Sequence, residues 1–349
     1  MNPKHLTTLA VLAAMSIPLT AWVIHTSAPT VASDRRGEYV APSLLAKASD
    51  VTELSIRDDA GKFVIERRDN RFVASDSGYP VKTDAVGEVI AGTAGLTFQE
   101  ARTSDPARYS DLGLADPGAQ DAGKEITFRT ASGELASLLV GKSDTTVGGP
   151  SGGVFIRLKG QPQTFLVRGS VRLPLSDDRS GWFVPISFDV KRSEIKKVEL
   201  TGGGRDNVTV LASTEVRGPE GTGLPGGRPG QFVLANVPER RIPDHLRASL
   251  LPSLVDNFKF QDVRRATKPA ADARRMVTEV GDGLQIVFTA LGELPEGWVH
   301  ITAEATNDAA KDKAKLITSK VEAYDFRLRS DEADRLGWTV DKLSVEPKS

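Results

Sequence analysis

The sequence predicts an α+β protein: an N-terminal single transmembrane helix followed by two related units of mainly antiparallel sheet with one principal helix each. Three observations support this class. A long apolar segment lies close to Met1, strand-like alternation recurs in runs around single helical stretches, and several short segments recur in the same order in both halves of the chain. The 349 residues are enough for two modest domains.

Composition excludes several classes of protein. Aliphatic and aromatic residues make up 39% of the chain, and the 32 Gly raise the apolar share to about 48%, which is typical of soluble globular domains and argues against a polytopic membrane protein. The 45 Lys and Arg nearly balance the 46 Asp and Glu, so the net charge indicates neither nucleic acid nor a polyanionic partner. Cysteine is absent, which excludes disulfides, thiolate metal ligands, a lipid-bearing N-terminal Cys and a Cys nucleophile.

The apolar segment at residues 6–24 predicts the first element. A helix of this length spans about 28 Å, close to the thickness of the hydrocarbon core of a bilayer. Residues 1–25 are therefore predicted to be a membrane anchor, with the rest of the chain outside the cytoplasm. A cleaved secretory signal is the alternative, although the segment is longer than a usual signal core and Thr26-Ser27-Ala28 lacks an Ala-x-Ala pattern. Residues 26–50, rich in Ser, Thr, Ala and Pro, are predicted to form a tether.

Internal similarity predicts that the rest of the chain contains two related units. Three pairs of segments match in order, namely residues 51–56 with 195–200, residues 71–74 with 231–234 and residues 97–106 with 259–269. Each half also places a helical stretch between its second and third segments. The apolar residues of these stretches have the i, i+3 or i+4 spacing of a buried helix face, and they are Val86, Val89 and Ile90 in the first half and Leu246, Leu250 and Leu254 in the second.

Alternating apolar residues predict four further strands in each half. In the first half they cover residues 124–129, 135–140, 154–158 and 164–167, and in the second half residues 275–280, 284–289, 298–303 and 323–329. Asp282-Gly283 predicts a tight hairpin between two of these strands. A charged helix near residues 308–318 and a short helix from Asp331 complete the second unit.

These elements assign residues 51–175 to the first α+β repeat unit and residues 195–345 to the second. Residues 176–194 form a linker, whose Trp182, Phe183 and Phe188 lead us to expect that it packs on something rather than extends freely. Residues 217–230, rich in Gly and Pro, interrupt the second unit and predict a long loop.

No motif predicts a catalytic, cofactor-binding or metal-binding residue. Gly141-Lys142-Ser143 resembles the end of a phosphate-binding loop, but no helix follows it, so Gly141 is predicted to end a strand. His245 begins a helix, a position typical of a solvated residue near a cap. His300 lies in an alternating strand with no second histidine nearby to complete a metal pair.

The charged side chains are predicted to lie mainly on the surface. Three dibasic pairs, Arg240-Arg241, Arg264-Arg265 and Arg274-Arg275, are predicted to lie on the surface, either solvated or facing anionic lipid headgroups or an acidic partner. Asp and Glu are scattered over turns and exposed faces. A pair of glycosidase acids needs no local motif, so that alternative stays open.

A family resemblance rests on the first unit. The phrase Tyr109-Ser-Asp-Leu-Gly-Leu-Ala-Asp-Pro117, the strand that ends at Gly141 and the aromatic strand at residues 153–157 resemble the bacterial family called domain of unknown function 4340. The similarity covers most of residues 51–345. The chain departs from the family pattern in its insertion at residues 217–230 and in Pro252, which falls inside the second predicted helix.

The resemblance implies a protein tethered to the bacterial inner membrane by a single pass, with its soluble part facing the periplasm. Relatives often occur alongside ABC-2-type export permeases and gliding-motility-type transport components. We therefore expect a non-catalytic binding or scaffolding protein, an accessory subunit whose partner is an ABC-type membrane permease, with no cofactor, nucleotide or nucleic acid. The resemblance implies no catalytic residue.

Two alternatives come from other functional classes. One is an envelope enzyme or carbohydrate-binding module whose site is assembled only in three dimensions, with Trp182 or Trp298 at the wall of its pocket. The other is a cleaved periplasmic solute-binding protein, whose mature chain would begin near residues 27–33.

Overall fold

A computed structural model describes residues 35–147, 152–174, 178–213, 231–281 and 283–346. This part of the chain is α+β, with mostly antiparallel sheets and few helices. The predicted anchor at residues 1–25 and the predicted loop at residues 217–230 lie outside the described residues. Within the described residues, no helix is long and apolar enough to cross a membrane.

The chain divides into two compact units. The first contains the described residues of Met1–Val64 together with Val86–Leu173, and the second contains Ile65–Ala85 together with the described residues of Pro174–Ser349. The second unit therefore takes in a short segment from the first half of the sequence.

The first sheet has eight strands, in the order β3-β2-β1-β5-β6-β7-β8-β4. In chain order they are β1 (Glu53–Asp58), β2 (Gly61–Arg68), β3 (Arg71–Ala74), β4 (Thr97–Ala101), β5 (Lys124–Thr130), β6 (Gly133–Asp144), β7 (Gly153–Leu158) and β8 (Thr164–Arg168). Helices α1 (Pro42–Ala46) and α2 (Thr83–Ala94) accompany them. In α2, Val86, Val89 and Ile90 are buried, as their spacing predicts.

The second sheet also has eight strands, in the order β11-β10-β9-β14-β15-β16-β17-β13. They are β9 (Ile195–Thr201), β10 (Val208–Ala212), β11 (Phe232–Leu234), β13 (Asp262–Arg265), β14 (Arg275–Val280), β15 (Leu284–Ala290), β16 (Trp298–Ala305) and β17 (Tyr324–Arg327). A separate two-stranded sheet joins β12 (Ile242–Pro243) to β18 (Ser344–Val345). The helices are α3 (His245–Ala248), α4 (Ser253–Asp256), α5 (Lys311–Val321) and α6 (Ser330–Leu336).

The two large sheets have the same topology. When the eight strands of each are numbered in chain order, both read 3-2-1-5-6-7-8-4 across the sheet. In both sheets, therefore, the strand that follows the helical stretch lies at an outer edge. These strands are β4 and β13, each paired antiparallel with the last strand of its own sheet.

The predicted second principal helix is wrong. The structure replaces it with two four-residue helices, α3 and α4, and Leu246 is 84% exposed whereas Leu254 is buried. Pro252 explains the break, because proline offers no backbone N–H and disfavours helical geometry in the residue before it. The longest helix described in the second half is α5, which matches the predicted charged helix and buries Ala314, Ile317 and Val321 against β16.

Aromatic rings fill the core of the second unit. Phe258, Phe260 and Phe326 have ring centroids 5.1–5.7 Å apart. Tyr79 contributes from the segment Ile65–Ala85, with its ring 4.9 Å from that of Tyr324. The contacts that Phe326 makes with Phe258 and Phe260, and that of Tyr79 with Tyr324, are edge-to-face, and such pairs add to the stabilisation that comes from burying large rings.

The Tyr79 hydroxyl is bonded within this core. It donates a hydrogen bond of 2.9 Å to the carbonyl of Val184, and burial raises the pKa of Tyr79. Trp182 and Phe183, which belong to the predicted linker, are also buried. The linker therefore packs, as its aromatic residues led us to expect.

Candidate binding pocket of the second unit

A pocket of about 170 Å³ opens at the outer edge of the second sheet. Its walls come from two segments that are distant in sequence, the chain before Phe188 and the segment that leads into β13. The side chains of Lys82 and Arg329 complete them. The lining residues are Lys82, Asp178, Ser180, Phe183, Pro185, Phe258, Lys259, Phe260, Gln261 and Arg329. All of them belong to the second unit.

The apolar part of the pocket is formed by three buried rings, Phe183, Phe258 and Phe260. The centroid of Phe260 lies 6.0 Å from that of Phe183 and 5.7 Å from that of Phe258. Because the same rings pack into the aromatic core behind them, this surface is rigid. It offers a preformed contact for an apolar group of a ligand.

The rim of the pocket carries an excess of positive charge. Among the described residues that line it, Lys82, Lys259 and Arg329 are opposed by a single carboxylate, Asp178, which already accepts a hydrogen bond of 2.9 Å from the backbone N–H of Ser180. Outside the lining, Arg329 Nε lies 3.5 Å from Asp331, so the excess positive charge comes from the two lysines. Lys82 and Lys259 form no ion pair with any described residue. Basic groups around an apolar floor suit a ligand that joins a carboxylate or phosphate to an apolar group.

Next to the pocket, Asp262 of β13 contacts Arg179 across 3.6 Å. Burial raises the pKa of Asp262, and the charge of Arg179 opposes that shift. This pair holds the 3₁₀ turn of residues 179–181 beside the start of β13. The wall that contains Ser180 is thereby fixed relative to the wall that contains Gln261.

A second polar cluster lies on β16, β17 and β13. Asp325 is fully buried and accepts two hydrogen bonds from Thr267, of 3.0 Å from its N–H and 2.8 Å from its hydroxyl. Arg264 Nε lies 3.3 Å from one oxygen of Asp325, and His300 Nδ1 lies 3.1 Å from the other. The Arg264 guanidinium also covers the ring of Trp298 at 4.3 Å.

This cluster gives His300 a partner that sequence analysis missed. Little in the sequence indicates this partner, because Asp325 lies in a predicted strand 25 positions from His300 and only the pairing of β16 with β17 brings the two residues opposite each other. Nε2 of His300 makes no hydrogen bond with a described residue. A buried carboxylate at Nδ1 orients an imidazole, and here the same carboxylate also ties β13 to β17.

The remaining candidate residues fall into structural positions. His245 is exposed at the start of α3, behind its cap Asp244. Gly141 lies inside β6, so the prediction that it ends a strand is wrong. A side chain at this position would collide with the carbonyl of Leu112, which accounts for the glycine. Because Lys142 is also part of β6, no helix N-terminus gathers backbone N–H groups into a phosphate cradle there.

The prediction for the dibasic pairs is wrong for Arg274. Its side chain is buried and donates to the carbonyls of Gly202, Asp206, Leu336 and Trp338, so it faces neither solvent nor lipid. The tryptophans expected at a pocket wall also lie elsewhere. Trp182 is buried in the core and Trp298 lies under Arg264, and neither lines the pocket.

The first unit has a larger cleft, of about 530 Å³, with mixed charge. Arg102 pairs with Glu100 at 3.3 Å and Arg108 lies 3.7 Å from Asp111. Hydrogen bonds from Thr146 lower the pKa of Asp144 on the same surface. Since these guanidinium groups already have carboxylate partners, the cleft has no net attraction for an anion. Among the described residues, no group of three or more His, Cys, Asp or Glu side chains is placed to hold a metal ion.

Comparison with known proteins gives one family match. The family model described as a domain of unknown function, DUF4340, matches residues 72–275, more than half of the chain. That range includes the pocket segment 258–261, Asp178 and Lys82. The comparison with curated proteins finds no match.

Proposed function

The chain belongs to the DUF4340 family, and we propose that it is a non-catalytic, membrane-tethered periplasmic binding or scaffolding protein, an accessory subunit of an ABC-2-type export system. The partner would be an ABC-type permease in the bacterial inner membrane. The proposal has three parts: a membrane tether at the N-terminus, a binding surface on the soluble part and a partner protein in the membrane.

The observation that carries the binding part is the pocket of the second unit. Lys82 and Lys259 stand beside a floor of buried phenylalanines and have no ion pair with a described residue. Charged groups left without a partner next to preformed apolar surface are typical of recognition sites. Proton-transfer chemistry would instead need an acid or base aimed into the pocket, and Asp178 is engaged in capping a turn.

Sequence supports the tether and the partner. Residues 6–24 are apolar over a length that fits a bilayer, and the family resemblance implies an association with export permeases. A tethered domain searches a thin layer above the membrane, so its effective concentration for a membrane partner is high. Modest affinity at the pocket would then suffice.

The test is purification of the full-length chain from its native membrane in a mild detergent, with mass spectrometry of the co-purifying chains and of the N-terminus. A matched control carries a cleavable signal in place of residues 1–25. We expect an ABC-type permease and an intact N-terminus with the full-length chain, and a reduced yield of permease with the control. A clipped, freely soluble protein without a permease would contradict the proposal and favour the periplasmic solute-binding alternative.

The His300–Asp325 cluster favours one further candidate, an envelope enzyme or carbohydrate-binding module. An imidazole oriented by a buried carboxylate suits a general base, and Trp298 beside it suits a sugar ring. The variant His300→Asn places an amide nitrogen where Nδ1 stands, so it can keep the hydrogen bond to Asp325, but it has no basic nitrogen to accept a proton. Loss of a hydrolytic activity on envelope glycans in this variant would support the enzyme, whereas unchanged permease recovery would support the accessory subunit.

A further inference from the structure

The shared topology of the two sheets makes their outer edges comparable. Strands β4 and β13 occupy the same place in the order 3-2-1-5-6-7-8-4. Their sequences agree as well, since Phe98-Gln99-Glu100 matches Phe260-Gln261-Asp262. Leu96–Phe98 in the first unit therefore corresponds to residues 258–260 in the second.

In the first unit, this edge is covered by the chain itself. Residues 37–40 run antiparallel to residues 96–98, with Tyr39 opposite Thr97. Three backbone hydrogen bonds join them: Gly37 N–H to Phe98 C=O at 2.8 Å, Phe98 N–H to Glu38 C=O at 2.9 Å, and Val40 N–H to Leu96 C=O at 2.9 Å. The segment acts as an additional edge strand.

In the second unit, the corresponding edge lacks such a strand within the described residues. No described residue bonds to the backbone N–H or C=O of Phe258, Lys259 or Phe260, although the next N–H, that of Gln261, donates to Arg327 at 2.7 Å. The chain segment that precedes β9 is engaged elsewhere, because residues 182–184 pair with residues 80–82. Phe258–Phe260 lead into β13, the edge strand that begins at Asp262. Free N–H and C=O groups at the edge of a sheet are a template for pairing with another segment.

The unpaired edge lines the candidate pocket. Phe258 and Phe260 are buried and form its apolar floor, while Lys259 is exposed and joins Lys82 and Arg329 at the rim. A cavity of about 150 Å³ holds one benzene molecule, so a pocket of about 170 Å³ has room for a single side chain or chain terminus. A longer ligand must continue along the strand edge outside it.

We propose that the second unit captures an extended peptide segment of a partner protein. The segment pairs with Phe258–Phe260 as an additional strand and places a carboxylate among Lys82, Lys259 and Arg329, with an apolar side chain on the phenylalanine floor. This inference rests on the proposed binding function and names the class of partner that the pocket takes. The backbone pairing provides affinity, and the basic rim provides the preference for an acidic segment.

The test uses the full-length chain in detergent micelles and a display library of random linear eight-residue peptides. The library is also selected against the double variant Lys82→Ala/Lys259→Ala and against the control variant Lys268→Ala, an exposed lysine of the same unit outside the pocket. We expect enrichment of peptides that carry a carboxylate and an apolar residue on the wild type and on the control. Affinity for the double variant should be roughly tenfold lower, since two solvated ion pairs are lost.

Amide hydrogen exchange then locates the selected peptide. The amide of Phe260, equivalent to the Phe98 amide that bonds the edge segment of the first unit, should exchange slowly only when the peptide is present, and the Gln261 amide should not change because it is already bonded. A peptide N-methylated at alternate residues keeps its side chains but cannot complete the pairing, so it should lose binding. Comparing free with amidated C-termini distinguishes a terminal carboxylate from a side-chain carboxylate.

Equal enrichment on the double variant, or protection at a different surface, would overturn the inference. So would full binding by the N-methylated peptide. These outcomes are separate from the proposed function. If a permease co-purifies equally with the double variant, the accessory role is supported and the peptide-binding role of the pocket is not. If the peptide binds as expected but no permease co-purifies, the peptide-binding role is supported and the accessory role is not.

Discussion

Arg274 allows a quantitative prediction because its environment is fully described. The residue is only 3% exposed. Its guanidinium donates to Trp338 at 2.8 Å, Leu336 at 3.0 Å, and Gly202 and Asp206 at 3.1 Å each. These four carbonyls belong to the loop after β9 and to the chain around the end of α6, so one side chain holds two distant segments together.

Replacing Arg274 with Ala removes all four bonds and leaves the carbonyls without their donor. At about 1 kcal/mol net for each bond the loss is about 4 kcal/mol, within the 3–5 kcal/mol that is typical when one partner of a buried charged group is removed. Arg274→Lys should lose much of the same stability, because an ammonium group lacks the planar fork that reaches several carbonyls.

The assay is urea unfolding of the full-length chain, followed by tryptophan fluorescence, with Arg275→Ala as the control. Arg275 is the neighbouring residue and is exposed, so we expect a change of less than about 0.5 kcal/mol. If the two units unfold in separate transitions, Arg274→Ala should lower only one of them. A change for Arg274→Ala within about 1 kcal/mol of the control would refute the structural role assigned to this side chain.

Three further predictions concern individual positions. Burial raises the pKa of Glu332, whose Oε2 is buried without a hydrogen-bond partner among the described residues. Folding therefore favours the protonated form of Glu332, and the stability that this form provides to the wild type is lost as pH rises through the raised pKa. Glu332→Gln should therefore stabilise the chain more at pH 7 than at about pH 3.5, as thermal unfolding at the two pH values would reveal; an equal effect at both would contradict this sign. Gly141→Ala places a methyl group against a backbone carbonyl and should destabilise the chain by about 1–3 kcal/mol. Gly87→Ala adds a methyl group in open space within α2 and should stabilise it by about 0.5–1 kcal/mol. The urea midpoints of the two variants test this difference, and similar midpoints would contradict the packing described. Leu254→Ala should destabilise the chain by about 2–5 kcal/mol and Leu246→Ala by less than about 0.5 kcal/mol, since only Leu254 of the two is buried. The opposite ranking in urea unfolding would contradict the two short helices of the structure.

Strand positions were predictable because alternation along a strand is a local property. Residues 275–280 were predicted as a strand, and β14 spans Arg275–Val280. The predicted second helix failed at Pro252, where apolar spacing competes with the geometry of proline, and proline prevails. Local spacing therefore identifies a helix reliably only where no residue forbids its hydrogen bonds.

The pocket could not be located from sequence, because its residues converge from positions 82, 178–185, 258–261 and 329. One signal was present: the similarity between residues 97–106 and 259–269 marks the two equivalent edges. What sequence could not reveal is that one edge is covered by residues 37–40, whereas no described residue covers the other. The burial of Arg274 was likewise hidden, since its four acceptors lie 62–72 positions away in sequence.

Site-specific photo-crosslinking in living cells tests the central claim most directly. A photoreactive amino acid replaces Lys259 at the pocket rim or, as the control, Lys268 outside it, and mass spectrometry reads the attached peptide. The account predicts that position 259 crosslinks to one extended, acidic segment of an envelope protein, an ABC-type permease, and that position 268 does not. Equal crosslinking at both positions, or none at position 259, would contradict the account.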